Sequence, residues 1–255
     1  MADRPIDVKG RLDAGADALD RLRATAPRVH CLTNMAAANL VANGLLALGA
    51  VPSLTDHDEE VGAFTAGAGA LSVNLGTPDA ERLRAIDIAV AAAKVQGVPW
   101  VLDPVMIDRA PTRLRAAAKL VNDGPAVLRL NEGERAALFD SADAPSFDGV
   151  LAISGAADSI GHHGAVLRVA NGDPMMTRVT GMGCLLGALT GAFLTVERDG
   201  LTAALAASVL LGLAGERAAG SARGPGGFQP ALLDRLHDLT PDDLMRDAKV
   251  TTCAD

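Results

Sequence analysis

Apolar runs of strand length alternate with helix-length segments along most of the chain. The runs predict strands over residues 28–34, 51–56, 70–77, 98–105, 125–131 and 149–155. Between them, 35–50 and 78–97 read as helices, the second opening on an acid and closing at Gly97, and an acidic helix start falls at 58–64. The strands are apolar throughout and do not alternate with polar residues, so both faces are buried. Strands of that kind, each followed by a helix, imply an α/β three-layer sandwich: a mostly parallel sheet with helices on both faces.

The pattern changes after Gly155. Residues 158–171 place a glycine- and histidine-containing turn between two short β-rich runs, which predicts a hairpin at the sheet edge. Two apolar helices over 184–196 and 201–215 and a polar C-terminal helix follow, with 224–230 (GPGGFQP) read as a loop. Neither a repeat nor a linker interrupts the series, so residues 1–255 are expected to form one domain.

Composition narrows the function. Hydrophobic residues make up 49% against 21% charged, enough for a substantial core. With five Phe, one Trp and no Tyr, the stacking platforms of a single-stranded nucleic-acid binder are missing, and a net charge of −8 disfavours any polyanionic partner. Three cysteines without CxxC spacing suggest neither a disulfide framework nor a structural zinc site. The N-terminus carries no signal-peptide pattern, and the apolar runs fall short of the roughly 20 residues that span a bilayer. A cytoplasmic protein with no membrane partner is expected.

Polar residues recur where strands end: Asn34, Asn74, Asp103 and Asn131. Each is also a common helix cap, but open parallel sheets bind ligands at this edge. The second unusual feature is VTGMGCLLGALTGAFL, residues 179–194, where the turn Gly181, Met182, Gly183 leads into an apolar helix at Cys184. Free N–H groups at such a helix start can hold an anion, and the same setting lowers the pKa of a thiol. No GxxxxGK[ST] or GxGxxG motif is present. An anion turn beside a nucleophile or base, with acids at other strand ends for a metal, is the equipment of phosphoryl transfer.

Several stretches occur together in a familiar order: HCLTN…ANGLLALGA (30–50), VNLGT (73–77), VLDPV (101–105), NGDPMMTRVTGMGC (171–184) and GERA…GPGGF (215–228). In these the chain resembles the hydroxyethylthiazole kinase family of the ribokinase-like superfamily. The resemblance implies ATP- and Mg²⁺-dependent phosphorylation of 4-methyl-5-(2-hydroxyethyl)thiazole in thiamin salvage. It further implies that Cys184 is the catalytic residue, standing where ribokinase-like enzymes usually carry an aspartate base. By the same resemblance Asp103 and Glu134 organise the metal, and Arg129, Ser154 and Asn131 contact ATP. Leu54, Gly181 and Asn34 line the thiazole pocket, and a homotrimer shares its active sites between subunits. Three alternatives stay open: another small-alcohol kinase of the superfamily, a non-catalytic ligand-binding paralogue, or an enzyme using Cys184 as a covalent nucleophile, against which the lack of a clear histidine partner counts.

The chain departs from the family pattern mainly on the nucleotide side. Leu54 replaces a usual methionine, Met182 a threonine, and Leu130 a glycine beside Arg129, where the larger side chain is expected to alter the approach of phosphate. DPVMIDRAP replaces a loop of small residues, and the segment after Glu134 leaves room for one short crossover helix. Among the histidines, His30 reads as a packed strand residue and His162 and His163 as exposed turn residues; His57 and His237 show no partner pattern. Met175 and Met176 read as core or interface fillers.

Overall fold

The computed structural model describes residues 6–140 and 144–252. Its centre is a nine-stranded sheet in the order β2-β1-β3-β4-β5-β6-β7-β8-β9. The strands are β1 (Arg28–Leu32), β2 (Val51–Ser53), β3 (Ala70–Asn74), β4 (Trp100–Asp103), β5 (Val127–Asn131), β6 (Val150–Ser154), β7 (Asp158–His162), β8 (Ala165–Val169) and β9 (Val250–Thr252). Pairing is parallel from β2 to β6 and antiparallel from β6 to β9. All five residues of β3 and all four of β4 are buried, the signature of a sheet covered on both faces.

Among the described residues ten α-helices accompany it: α1 (Val8–Thr25), α2 (Met35–Leu48), α3 (Val61–Ala66), α4 (Ala80–Gln96), α5 (Pro111–Val121), α6 (Glu132–Phe139), α7 (Met182–Leu194), α8 (Gly200–Ala219), α9 (Pro225–Asp238) and α10 (Pro241–Asp247). They divide the apolar interior into two clusters. One gathers the buried faces of α1, α2, α7, α8 and α9; the other gathers those of α4 and α5 with Leu71, Leu102 and Leu128 of the sheet. Several helix starts are set by caps legible in the sequence. Asn34, Asp79 and Asn131 each accept the backbone N–H three residues on, satisfying a donor that the first turn cannot.

The fold matches the expected sandwich, with four differences. GPGGFQP is helical: Gly224 is the N-cap of α9, Pro225 fits its first position, and Phe228 anchors the turn in the core. The hairpin β7–β8 is one strand in from the edge, because β9 pairs with β8. β9, α1 and α10 are additional elements, the polar C-terminal segment forming two helices and not one; Cys253 lies outside the described residues. Helix α8 is longer than its apolar run suggests. By length and composition it is long and apolar enough to cross a membrane, yet 89% of its apolar stretch is buried inside the fold, where α8 packs against α1, α7 and α9.

Candidate active site

The carboxyl ends of the parallel strands converge on the start of α7. Asn34 follows β1, Asn74 ends β3, Asp103 ends β4 in register with Asn74, and Ser154 ends β6 in register with Asn131. Asn34 Nδ2 donates to Asn74 Oδ1 at 3.0 Å and to Cys184 Sγ at 3.3 Å. Asn74 Nδ2 donates to Cys184 Sγ at 3.2 Å and to Asp103 Oδ2 at 2.7 Å. Two amides, one after β1 and one at the end of β3, therefore hold one sulfur. Asn74 was readable only as a polar strand end; its grip on the thiol needs the register of β3 beside β1.

Arg129 adjoins this group. Its Nη1 lies 3.3 Å from Asp103 Oδ1, and its Nε donates to Ser154 Oγ at 3.2 Å. Burial alone would lower the guanidinium's pKa, but the charges of Asp103 and Glu134 outweigh it and hold the pKa above its ordinary value. Burial pushes the Asp103 carboxyl above the usual range, and Glu134 adds to the push against Arg129 and Asn74. Two carboxylates thus face one cation.

Glu134 carries a second task. Its Oε2 accepts from Asn131 N at 2.8 Å while Asn131 Oδ1 accepts from Glu134 N at 2.9 Å, a capping box on α6. Its Oε1 accepts from Met106 N at 2.7 Å. Met106 and Val105 both have positive φ, 56° and 41°, so this carboxylate clamps a strained loop after β4.

The start of α7 is open. Gly181 is its N-cap with φ 88°, a conformation that favours glycine, and Ala37 of α2 lies against it; no side chain caps the helix. The N–H groups of Met182, Gly183 and Cys184 have no place in the intrahelical ladder. Met182 and Gly183 line a cleft of about 560 Å³ together with Arg129, Ser154, Asp158, Asn171–Pro174, Thr177, Ser208 and Leu211. Leu186 lines it too, and so does Met176, whose sulfur also rests on Gly215.

Three expectations require correction. The start of α7 does not lower the thiol's pKa: burial, and then the neighbouring charge of Asp103, push Cys184 up to about 11, against the amides of Asn34 and Asn74 and the charge of Arg129. Leu130 does not approach the phosphate side. Strand alternation turns it, fully buried, into the core cluster under α4 and α5, on the face opposite Arg129. Leu54 lies half-buried just after β2, packed on the core, at the same sheet end but outside the hydrogen-bonded group. His30 is buried as expected, with Nδ1 2.9 Å from Ser53 Oγ. His162 is half-buried at the end of β7, and only His163 is an exposed turn residue.

The sequence model of the hydroxyethylthiazole kinase family matches residues 19–144 and 140–242. The chain belongs to this family. It is 40% identical over 260 residues to a hydroxyethylthiazole kinase of Cereibacter sphaeroides, covering 94% of this chain and 99% of the relative. The solved structure of a hydroxyethylthiazole kinase protein from Pyrococcus horikoshii OT3 superposes with a TM-score of 0.90 at 34% identity, over 94% of this chain and 99% of that one. A ribokinase-like superfamily protein from Enterococcus faecalis V583, 13% identical, shares the fold with a TM-score of 0.58 over 94% of this chain and 92% of its own. Hydroxyethylthiazole kinases are small-molecule kinases, with ATP as co-substrate. The group around Cys184 and the cleft beside it lie at the carboxyl ends of the parallel strands, the edge at which open α/β sheets bind ligands.

Proposed function

We propose that the chain transfers the γ-phosphoryl group of ATP to the primary hydroxyl of 4-methyl-5-(2-hydroxyethyl)thiazole, with Cys184 at the acceptor oxygen. The observation that carries this reading is the fixed thiol between Asn34 and Asn74, beside Arg129 and the uncapped start of α7. Phosphates at that helix start meet the N–H groups of Met182 and Gly183 together with the buried Arg129 cation. The nucleoside occupies the cleft lined by Ser154, Met176, Met182 and Leu211. Asn131, which caps α6, belongs to the same nucleotide side.

Asp103 and Glu134 suit Mg²⁺. They offer hard oxygen donors, and their two negative charges exceed the single positive charge of Arg129. When bound, the ion neutralises phosphate charge as it develops. Cys184, with its pKa near 11, is a neutral thiol at pH 7. Its part is to hold the acceptor hydroxyl in line, and the hydroxyl proton passes to an oxygen of the incoming phosphoryl group as the bond to ADP breaks. The rest of the rate comes from alignment and charge stabilisation, which suffice for a loose phosphoryl-transfer transition state.

The thiazole ring lies against Leu54, Gly181 and Asn34, and a neighbouring subunit completes its pocket in a homotrimer. Met35, Leu46 and Val51 are exposed apolar residues on α2 and on the edge strand β2, surfaces suited to such a neighbour. Light scattering is expected to give three times the monomer mass, and a monomer at micromolar concentration would remove the shared pocket. The activity itself is tested by ATP consumption against a panel of hydroxyethyl- and hydroxymethyl-heterocycles. Preferential turnover of the hydroxyethylthiazole is expected; preference for another alcohol, or binding without turnover, would overturn the reading.

A further inference from the structure

At the end of the sheet opposite the cleft, Asp148 precedes β6 and the β7–β8 hairpin turns at His163-Gly164. We propose that Asp148, His162 and His163 form a binding site for a divalent transition-metal ion of the Zn²⁺ type. One ring nitrogen from each histidine and a carboxylate oxygen of Asp148 lie within 4.8 Å of one another. The two imidazole centroids are 3.8 Å apart, and His163 Nε2 stands 3.6 Å from Asp148 Oδ1.

The backbone creates this meeting. Neighbouring strand residues point to opposite faces, so His162 and His163 would diverge in a continuous strand. Here the two turn residues both have positive φ, 49° at His163 and 82° at Gly164. Such a two-residue turn favours Asn-Gly or Asp-Gly. Histidine in its first position breaks the alternation and swings the second imidazole beside the first.

The donors also suit the ion. Imidazole nitrogens with one carboxylate are a ligand set for Zn²⁺, Ni²⁺ or Cu²⁺, and three protein ligands leave a position for water. His162 Nε2 lies 3.1 Å from the Asp148 carbonyl. As an N–H donor there it leaves the lone pair on Nδ1, the second hydrogen bond that orients most metal-binding histidines. Bonds of about 2.0–2.1 Å place tetrahedral ligands roughly 3.4 Å apart. The His163 and Asp148 side chains are 66% and 91% exposed and free to close that distance. The bound ion would join the approach to β6 to the tip of the hairpin.

The test is calorimetric titration of the full chain with ZnCl₂, comparing wild type with His163→Asn and Asp148→Asn. His163→Asn installs a residue the turn favours, so the fold is retained. Cys184 and the cleft carboxylates are unchanged in all three proteins, and binding there cancels in the comparison. Each variant is expected to lose affinity at one site by at least the roughly 10–100-fold that an outer hydrogen-bond partner is worth. Zn²⁺ should raise the melting temperature of wild type more than that of either variant. Equal Zn²⁺ stoichiometry, affinity and melting shift in wild type and both variants would overturn the site.

Discussion

The guanidinium of Arg129 lies directly on the α-carbon of Gly183: a β-carbon built there would stand 2.5 Å from Nη1 and 2.6 Å from Cζ. Gly183 is the second residue of α7 and its φ is ordinary, so the glycine is present for Arg129 and not for the backbone. Gly183→Ala should gain up to about 1 kcal/mol of helix propensity while displacing the guanidinium. The expected result is a melting temperature within a few degrees of wild type with kcat/KM for ATP lowered about tenfold or more, equivalent to at least about 1.4 kcal/mol. Unchanged kinetics would show that Arg129 does not need its present position.

Asp103→Asn removes one charge of a buried pair and leaves Arg129 without its ion-pair partner; breaking such a pair costs roughly 3–5 kcal/mol. Glu134→Gln puts a donor where both carboxylate oxygens now accept backbone N–H bonds, and the loop at Val105 and Met106 should loosen. A loss of about 1–3 kcal/mol in stability is expected for Glu134→Gln. In both variants calorimetry should show weaker Mg·ATP binding with thiazole binding retained. The opposite pattern would reverse the proposed roles.

Glu216 of α8 holds the far wall of the cleft. Its Oε1 accepts from Gly172 N at 2.9 Å, Asn171 Nδ2 at 3.4 Å and Lys249 Nζ at 3.0 Å. Asn171 in turn accepts from Lys249 N at 2.8 Å, so the residues leading into β9 brace the loop against α8. Glu216→Ala should raise KM for ATP by roughly tenfold, about 1.4 kcal/mol, and leave KM for the thiazole within about twofold. Equal effects on both substrates would mean that the clamp serves general stability.

These contacts show what the chain discloses by pattern and what it withholds. The parallel sheet was legible because its strands are apolar on both faces, and the ligand edge because Asn34, Asn74, Asp103 and Asn131 recur at strand ends. Leu130 was misread beside Arg129, although alternation along β5 already turns adjacent residues apart. The helix at GPGGFQP was hidden because local glycine and proline content outweighs, in the sequence, the burial of Phe228 that fixes α9. β9 depends on a partner strand some eighty residues away, and the clamp on Glu216 on partners 33 to 45 residues away. The thiol's pKa was misjudged for the same kind of reason. Its main determinants are burial and Asp103, and neither adjoins Cys184 in the chain.

Cys184 separates three accounts of the site. If the neutral thiol orients the acceptor hydroxyl, Cys184→Ala should lower turnover, near the lower end of the roughly 10²–10⁴-fold typical of a lost acid–base group. Thiazole binding and the melting temperature should change little. Cys184→Asp should retain activity, because a carboxylate at this position receives the hydroxyl's hydrogen bond and is the stronger base. The pH dependence supplies an independent check. The folded thiol titrates near 11, above its ordinary value of 9.0, so its proton is held more tightly in the folded state. Wild-type kcat should therefore show no thiol-dependent rise between pH 6 and 9. Its stability should decline above pH 9, where the unfolded thiol ionises and the folded one does not, and this decline should be shallower in Cys184→Ala. A covalent role predicts instead an inactive Cys184→Asp. Pure packing predicts a stability loss of about 1–2 kcal/mol with kcat intact in Cys184→Ala. Steady-state kinetics and melts of both variants across this pH range decide among the three, and wild-type turnover in Cys184→Ala would remove the thiol from the reaction.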